Sequence, residues 1–182
     1  MASMTLTLLR HAKSSWDNPH IDDFDRPLAP RGRAAAPLMG EFMARQGIAP
    51  DLVICSEAQR ARETLALVLA KIGAPREIRH QRQLYLAPPN RMTRIILTAW
   101  RGPEADRSRH IMLVGHNPGL HALAVELAEM GDAGLRADLA QKFPTTGLVV
   151  IEFGGDDPIH DLRGGRLRHF MTPRRLAGDP AP

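Results

Sequence analysis

The chain alternates short apolar runs with longer segments in which apolar residues recur at helical spacing. The run Thr5–Leu9 contains only leucine and threonine, a composition typical of a strand buried on both faces. Further strand candidates follow at 52–55, 77–80 and 111–114. Strands buried on both faces usually belong to parallel sheets covered by helices, so the pattern predicts a mostly parallel sheet.

Helical patterns follow each of these strands, and a glycine comes directly after each pattern. Glycine is favoured just beyond a helix C-terminus because it tolerates a left-handed backbone. The four predicted helices span 31–46, 57–72, 90–101 and 118–130. This alternation predicts an α/β fold of three layers, with helices on both faces of a mostly parallel central sheet.

The C-terminal third has a different pattern. A short helix is predicted near 133–142, and two strands at 147–153 and 166–171 flank a loop rich in glycine, aspartate and proline. Strands joined in this way predict a hairpin, which we expect at the edge of the sheet. Residues from about 173 are expected to form a frayed tail. The whole chain, 1–182, is expected to be one domain and a monomer.

Composition excludes several classes of protein. No apolar run approaches the length of a membrane span, and 43% hydrophobic with 24% charged residues is ordinary for a globular domain. The net charge of +4 suits an anionic ligand, but only 4% of the residues are aromatic, too few for a surface that stacks nucleic-acid bases. We therefore expect neither a nucleic-acid partner nor a membrane partner.

Cysteine and histidine usage gives no sign of a disulfide or a metal site. Cys55 is the single cysteine, and the eight histidines lack the spacing of metal ligands. The N-terminal residues lead directly into the first predicted strand without the features of a secretory signal. We expect a cytoplasmic protein that needs no metal or other cofactor.

Cationic and hydrogen-bonding residues follow three of the predicted strands. In a parallel sheet the ligand site lies beyond the carboxyl ends of the strands, so these residues are expected to meet. Two arginines imply a tetrahedral oxyanion such as phosphate, since the guanidinium fork matches phosphoryl oxygens. Two histidines add chemistry: a neutral imidazole can attack phosphorus, and a protonated one can stabilise the developing charge. The residues concerned are Arg10, His11, Ser56, Arg60, His116 and Asn117.

Two of these residues have an alternative role as helix caps. Ser56 lies three residues before Gln59, the spacing of a capping box, and Asn117 precedes Pro118, which suits a first helical turn. Arg62 lies two positions after Arg60 on a predicted helix, so it points to another side and is expected to be solvated or ion-paired.

Three motifs resemble the histidine phosphatase superfamily, which has the phosphoglycerate-mutase-like fold: "LLRHAKS", "SEAQRARETL" and "LVGHNPGL". The segment "DDFDRPLAPRGR" and the small size resemble its SixA-type phosphohistidine phosphatase branch. The resemblance implies that His11 is the nucleophile that becomes phosphorylated. It also implies that Arg10, Arg60 and His116 complete the phosphate pocket. Ser56 and Asn117 are candidates for substrate contacts because they are hydrogen-bonding residues at the ends of predicted strands.

The chain departs from the family pattern at two points. Ala12 stands where the family usually has glycine, and the segment after the third strand has no carboxylate to protonate a leaving group. The alternative acids are Asp22, Asp23 and Asp25. A phosphoimidazole can accept a proton from solvent and leave as neutral imidazole, so a missing acid favours protein phosphohistidine as substrate.

Other functions remain open at this point. The chain is a metal-independent phosphatase in our first hypothesis, a small-molecule phosphomonoesterase or mutase-like enzyme in the second, and a non-catalytic phosphate-binding module in the third. Lys13 and Trp16 are expected to line the mouth of the site. A basic cluster near the C-terminus is interpreted as a solvated edge hairpin, or alternatively as a contact for an acidic protein; its members are Arg163, Arg166, Arg168, Arg174 and Arg175.

Overall fold

The computed structural model describes residues 4–101, 109–154 and 162–178. Within these ranges the strands form one mixed sheet. The strands are β1 (Met4–Arg10), β2 (Leu52–Ser56), β3 (Glu77–Gln81), β4 (His110–Gly115), β5 (Met130–Gly131), β6 (Leu148–Phe153) and β7 (Arg166–Met171). The helices are α1 (Pro30–Arg45), α2 (Gln59–Ile72), α3 (Pro89–Arg101), α4 (Gly119–Leu127), α5 (Ala133–Gln141) and α6 (Pro173–Leu176).

The sheet has the order β3-β2-β4-β1-β6-β7-β5, and its first four strands are parallel. β6 runs antiparallel to β1, and β7 runs antiparallel to β6. Arg10 lies beside Gly115 and Cys55 beside Val114 in the strand register. The carboxyl ends of β1, β2 and β4 therefore meet at one edge of the sheet, as predicted.

Apolar side chains cover both faces of the sheet. Successive residues of β4 point to opposite sides: Leu113 packs in a core with Met92 and Leu123 of α3 and α4. Val114 packs in a second core with Met39 and Leu65 of α1 and α2. The three-layer α/β fold is thus confirmed.

The predicted C-terminal hairpin is formed by β6 and β7, but β7 is not the outermost strand. The helix predicted over 118–130 ends at Leu127, and Met130–Gly131 forms the short strand β5 beside Arg166–Leu167. Gly131 adopts a φ of +118°, and the amide of Met130 donates to the carbonyl of Gly165 at 2.9 Å. A two-residue strand leaves no apolar pattern in the sequence, so β5 was not predicted; it adds to the hairpin side of the sheet beside the first two residues of β7. Most of the loop between β6 and β7, including Asp161, lies outside the described residues.

Residues 173–176, which were predicted to belong to a frayed tail, form helix α6. Pro173 occupies the first helical turn, and the Thr172 hydroxyl accepts a hydrogen bond from the amide of Arg175. Arg175 also forms an ion pair with Asp138. These contacts fix α6 against the body of the domain, and residues 179–182 lie outside the described part.

Helix α1 packs closely against the chain that follows β1. A Cβ atom on Gly32 would lie 2.3 Å from the carbonyl oxygen of Lys13, so no larger residue fits here without a backbone shift. The amide of Ala29 donates to the same carbonyl at 2.8 Å. The start of α1 thereby fixes the segment directly after Arg10-His11. None of the helices in the described ranges is both long enough and apolar enough to cross a bilayer.

Candidate active site

The carboxyl edge of the sheet holds a cavity of about 230 Å³ that is lined by most of the predicted site residues. The ring centroids of His11 and His116 lie 5.0 Å apart, and both side chains are buried. The predicted residues in its wall are Arg10, His11, Arg60, His116 and Asn117. Lys13 and Trp16 also line the cavity, in agreement with their expected place at the mouth.

The main chain of His11 is held from two sides. Its amide donates to the carbonyl of Gly115 at 3.1 Å, and its carbonyl accepts from the amide of Thr146 at 3.1 Å. In the side chain, Nδ1 donates to the carbonyl of Ala12 at 2.7 Å. This bond places the proton of the neutral ring on Nδ1. Nε2 then carries the lone pair, and it has no hydrogen bond to any residue of the described ranges.

The electrostatics of the cavity keep this imidazole neutral. The pKa of His11 is lowered to about 4, mainly by burial and also by the charges of Arg60 and Arg10, which together outweigh the hydrogen bond to Ala12 that raises it. Burial also lowers the pKa of the Arg10 guanidinium, and Arg60 adds to this effect. At neutral pH the site therefore combines cationic arginines with an unprotonated histidine.

The pKa of His116 is lowered as well, so this imidazole is also neutral at neutral pH. Burial lowers its pKa to about 3, with further contributions from His11 and Arg60. Its Nε2 pairs with Ser56 Oγ at 2.8 Å, and its Nδ1 has no hydrogen-bond partner in the described residues. Tyr85 packs edge-on against the ring, with centroids 5.4 Å apart. A proton on His116 has to accompany an anion that enters the cavity.

Neither Ser56 nor Asn117 acts as the predicted helix cap. Helix α2 begins at Gln59 with Ala58 at the cap position, and α4 begins at Gly119 with Pro118 before it. Ser56 is fully buried, pairs with His116 and does not line the cavity, so the structure does not bring this residue to the cavity wall.

Asn117 and Arg10 share one acceptor. Arg10 NH1 and Asn117 Nδ2 each donate to the carbonyl oxygen of Phe143, both at 2.9 Å. The two side chains come from the ends of β4 and β1, and the acceptor belongs to the segment between α5 and β6. Phe143 thus orients an arginine and an amide on the wall of the cavity.

Of the three candidate acids, only Asp23 lines the cavity. Its Oδ2 accepts a hydrogen bond from Arg60 NH2 at 2.9 Å and another from the Tyr85 hydroxyl at 2.6 Å. Burial raises the pKa of Asp23, but the Tyr85 hydrogen bond and the charge of Arg60 outweigh it and lower the pKa overall. Asp22 and Asp25 are exposed outside the cavity wall.

Two contributing residues, Thr64 and Tyr85, were not identified from the sequence. Thr64 Oγ1 accepts from the amide of Ala12 at 2.9 Å and donates to the carbonyl of Arg60 at 2.6 Å. It therefore connects the loop after His11 to α2. Thr64 lies four residues after Arg60, on the same helix face, and that spacing was the available signal.

Ala12 fits its position without strain. Its side chain is fully buried in a small apolar cluster with Leu28 and Ala36, and its φ is not positive. The methyl group therefore packs where the family's usual glycine would leave space. Arg62 is exposed, as expected. In the part of the chain that the structure describes, no group of three or more His, Cys, Asp or Glu side chains is arranged to hold a metal ion.

Comparison with solved structures identifies similar folds of nearly the same size. A protein from Agrobacterium tumefaciens, provisionally described as the phosphohistidine phosphatase SixA, is 31% identical with a TM-score of 0.74. The alignment covers 93% of this chain and 98% of that one. A protein from Nakamurella multipartitia with the same provisional description is 27% identical, with a TM-score of 0.76 over 95% of this chain and 98% of that one.

Sequence comparison agrees with this result. An uncharacterized protein of Mycobacterium tuberculosis H37Rv is 38% identical over 149 residues, which cover 81% of this chain and 88% of the relative. The family model described as "Histidine phosphatase superfamily (branch 1)" matches residues 6–84, which include Arg10, His11 and Arg60. The chain belongs to the histidine phosphatase superfamily and, within it, to the SixA-type branch.

Proposed function

We propose that this protein is a metal-independent phosphatase that hydrolyses phosphohistidine in proteins through a phosphohistidine intermediate on His11. The observation that carries the proposal is the hydrogen bond from His11 Nδ1 to the carbonyl of Ala12. It leaves the lone pair of Nε2 for attack on phosphorus in a cavity walled by two arginines. The provisional descriptions of the two similar structures support the same substrate class.

In the proposed first step, the Nε2 lone pair of His11 forms a bond to phosphorus as the bond between phosphorus and the substrate imidazole breaks. The leaving imidazole takes a proton and departs neutral. In the second step, water attacks the phosphoryl group on His11, releases inorganic phosphate and restores the neutral ring. Both steps are in-line displacements, for which positioning and charge stabilisation supply most of the catalysis.

Arg10, Arg60 and His116 are assigned to the equatorial phosphoryl oxygens. The guanidinium groups are already held near the cavity, Arg10 by Phe143 and Arg60 by Asp23. A phosphoryl dianion raises the pKa of a neighbouring imidazole, so His116 is protonated as the substrate binds. Its buried Nδ1 has no hydrogen-bond partner among the described residues, and a phosphoryl oxygen that reached it would satisfy it. Asn117 is assigned to an auxiliary contact with the substrate.

The state of Asp23 favours phosphohistidine over a phosphate ester. An alkoxide leaving group needs a positioned acid, but the lowered pKa of Asp23 keeps it ionised at neutral pH. Phosphoimidazole can accept its proton from solvent. The same argument disfavours a phosphomonoesterase or mutase-like activity on alkyl phosphates.

The test compares three substrates in excess chelator: a phosphohistidine peptide, an activated aryl phosphate and an alkyl phosphomonoester. We expect turnover of the first two, with the highest kcat/KM for the phosphohistidine peptide. A higher kcat/KM for the alkyl ester would overturn the proposed substrate. If the protein bound phosphate without hydrolysing any of the three, it would be a phosphate-binding module, and if chelator abolished turnover, the proposed metal independence would be wrong.

A further inference from the structure

A second, larger groove adjoins the candidate active site. It has a volume of about 390 Å³ and shares Arg10, Lys13 and Thr145 with the catalytic cavity. The start of α1, the end of α5 and the start of α6 contribute the remaining wall through Arg31, Lys142 and Arg174. A substrate whose phosphoryl group lies beside His11 would therefore extend past the shared residues into this groove.

The wall of the groove is strongly cationic. Five of its residues carry a guanidinium or ammonium group, and no carboxylate among the described residues lines it. Lys13, Arg31 and Lys142 are exposed and form no ion pair with a carboxylate in the described ranges. Some other surface cations are neutralised by a carboxylate, as in the Arg33–Glu63 pair at 3.0 Å. The groove thus presents positive charge that is not compensated locally.

Apolar and hydroxyl groups lie between these cations. Pro144, Phe170 and Pro173 belong to the wall, together with the hydroxyls of Thr145 and Thr172. A single phosphate ion would not use this apolar surface. A single-stranded nucleic acid would need exposed aromatic rings for stacking its bases, but Phe170, the aromatic residue in the wall, is 3% exposed. A polypeptide with acidic and apolar side chains matches both features of the groove.

We infer that the groove binds an acidic segment of the phosphorylated protein, next to the phosphohistidine in the chain. This inference rests on the proposed function and identifies what the enzyme recognises around the phosphoryl group. The cations attract Asp and Glu side chains of the substrate, and Pro144 and Pro173 contact its apolar residues. Arg31 and Lys142 line the groove but not the catalytic cavity, so they separate recognition from chemistry.

The first test measures binding without turnover. The probe is a fluorescent peptide in which an unphosphorylated histidine is flanked by Asp, Glu and Leu, and its Kd is obtained from fluorescence anisotropy at low salt. The Arg31→Glu/Lys142→Glu double variant should bind about tenfold more weakly. The matched control is Arg45→Glu/Arg109→Glu, which changes the net charge equally at the C-terminal end of α1 and just before β4. Its Kd should equal that of the wild type.

The outcomes of the binding test are decisive in either direction. If both double variants weakened peptide binding equally, or if neither weakened it, the groove would not be the binding site. Tighter binding of a single-stranded oligonucleotide with the same charge would also overturn it, and would point to nucleic acid. The inference is supported if added salt reduces peptide binding and if the Kd increases in the groove variant alone.

The second test uses a ratio of turnover rates, so that general effects of charge on the active site cancel. It compares kcat/KM for a phosphohistidine peptide with acidic flanks and for one with Asn and Gln flanks. The kcat/KM of the acidic peptide divided by that of the neutral peptide should fall about tenfold in the groove variant, mainly because KM for the acidic peptide rises. The same quotient should stay at the wild-type value in the control. An unchanged ratio, with both peptides hydrolysed, would overturn the groove inference and leave the proposed function standing. Charge-selective binding with no phosphohistidine turnover would overturn the proposed function and leave the groove standing.

Discussion

The carboxylate of Asp23 holds the guanidinium of Arg60 in the same cavity that contains His11. Arg60 NH2 donates to Asp23 Oδ2 at 2.9 Å, and Arg60 NH1 donates to the Asp23 main-chain carbonyl. Arg60 is 4% exposed, whereas the side chain of Asp23 is 44% exposed. The arginine is therefore the fixed member of the pair, and the carboxylate is the member that can move aside. A phosphoryl group competes with Asp23 for Arg60.

This competition predicts that Asp23→Asn increases the affinity for inorganic phosphate. The substitution removes a negative charge next to Arg60. The phosphate concentration that inhibits turnover by half should therefore be roughly threefold to fivefold lower for the variant than for the wild type. Turnover of a phosphohistidine peptide should remain within about threefold of wild type, since its leaving group needs no acid from Asp23. Asp25→Asn is the matched control, because Asp25 is exposed in the same segment and does not line the cavity. A fall of about 10²-fold in phosphohistidine turnover, typical of a lost general acid, would show that Asp23 is the acid.

The hydrogen bonds of Thr64 predict how strongly the loop after His11 depends on this side chain. Thr64→Val keeps the shape of the side chain but leaves the buried amide of Ala12 without its acceptor. We expect a loss of about 1–3 kcal/mol in the free energy of unfolding, measured with urea. The loop next to His11 also loses its link to Arg60, so kcat should fall roughly tenfold. Thr64→Ser restores the hydroxyl and should recover most of kcat, whereas equal losses in Val and Ser variants would assign Thr64 to packing alone.

The positions of the two arginines and of His116 could be predicted because strand order and register determine them. Arg10, Arg60 and His116 follow strands that are parallel neighbours, and the ends of such strands meet whatever the details of the loops. The position of His11 could be predicted in the same way, because it directly follows β1. The three-layer arrangement followed from the same alternation of strands and helices.

The remaining parts of the site depend on contacts between distant segments, which leave no local pattern. Asp22, Asp23 and Asp25 are equivalent in the sequence, and only the contact with Arg60, 37 positions away, distinguishes Asp23. Tyr85 follows β3 and reaches the same carboxylate across 62 positions. The groove has the same origin, because Arg31, Lys142 and Arg174 come together only when α1, α5 and α6 pack.

The buried histidines predict a dependence of stability on pH. The pKa of His11 is lowered from 6.5 to about 4 and that of His116 to about 3, mainly by burial. Below pH 6.5 the unfolded chain therefore binds protons that the folded chain does not, and the free energy of unfolding decreases as the pH falls. The decrease amounts to about 1.4 kcal/mol per pH unit for each histidine at most, and it ends once the folded protein also protonates, near pH 4 for His11.

Urea unfolding at pH 7, 6 and 5 measures this effect. The double variant His11→Gln/His116→Gln should lose much less stability than the wild type between pH 6.5 and pH 5. His80→Gln is the control, because His80 is exposed, and its pH profile should match the wild type. Parallel profiles for the wild type and the double variant would mean that the pKa values of His11 and His116 do not differ between the folded and unfolded states.

The role proposed for His11 predicts a covalent phosphoryl-enzyme that can be trapped during turnover. Rapid quenching without acid should leave a phosphoryl group that is stable in base and lost in acid, as expected for a phosphoramidate, and peptide mapping should place it on His11. His11→Ala should leave no label. His116→Ala should slow both formation and breakdown by about 10²-fold or more, since it removes one charge-stabilising donor, and the label should therefore persist longer. A phosphoryl group on Ser14, which also lines the cavity, or complete turnover without a covalent species would show that Arg10 and His11 bind phosphate beside a different chemistry.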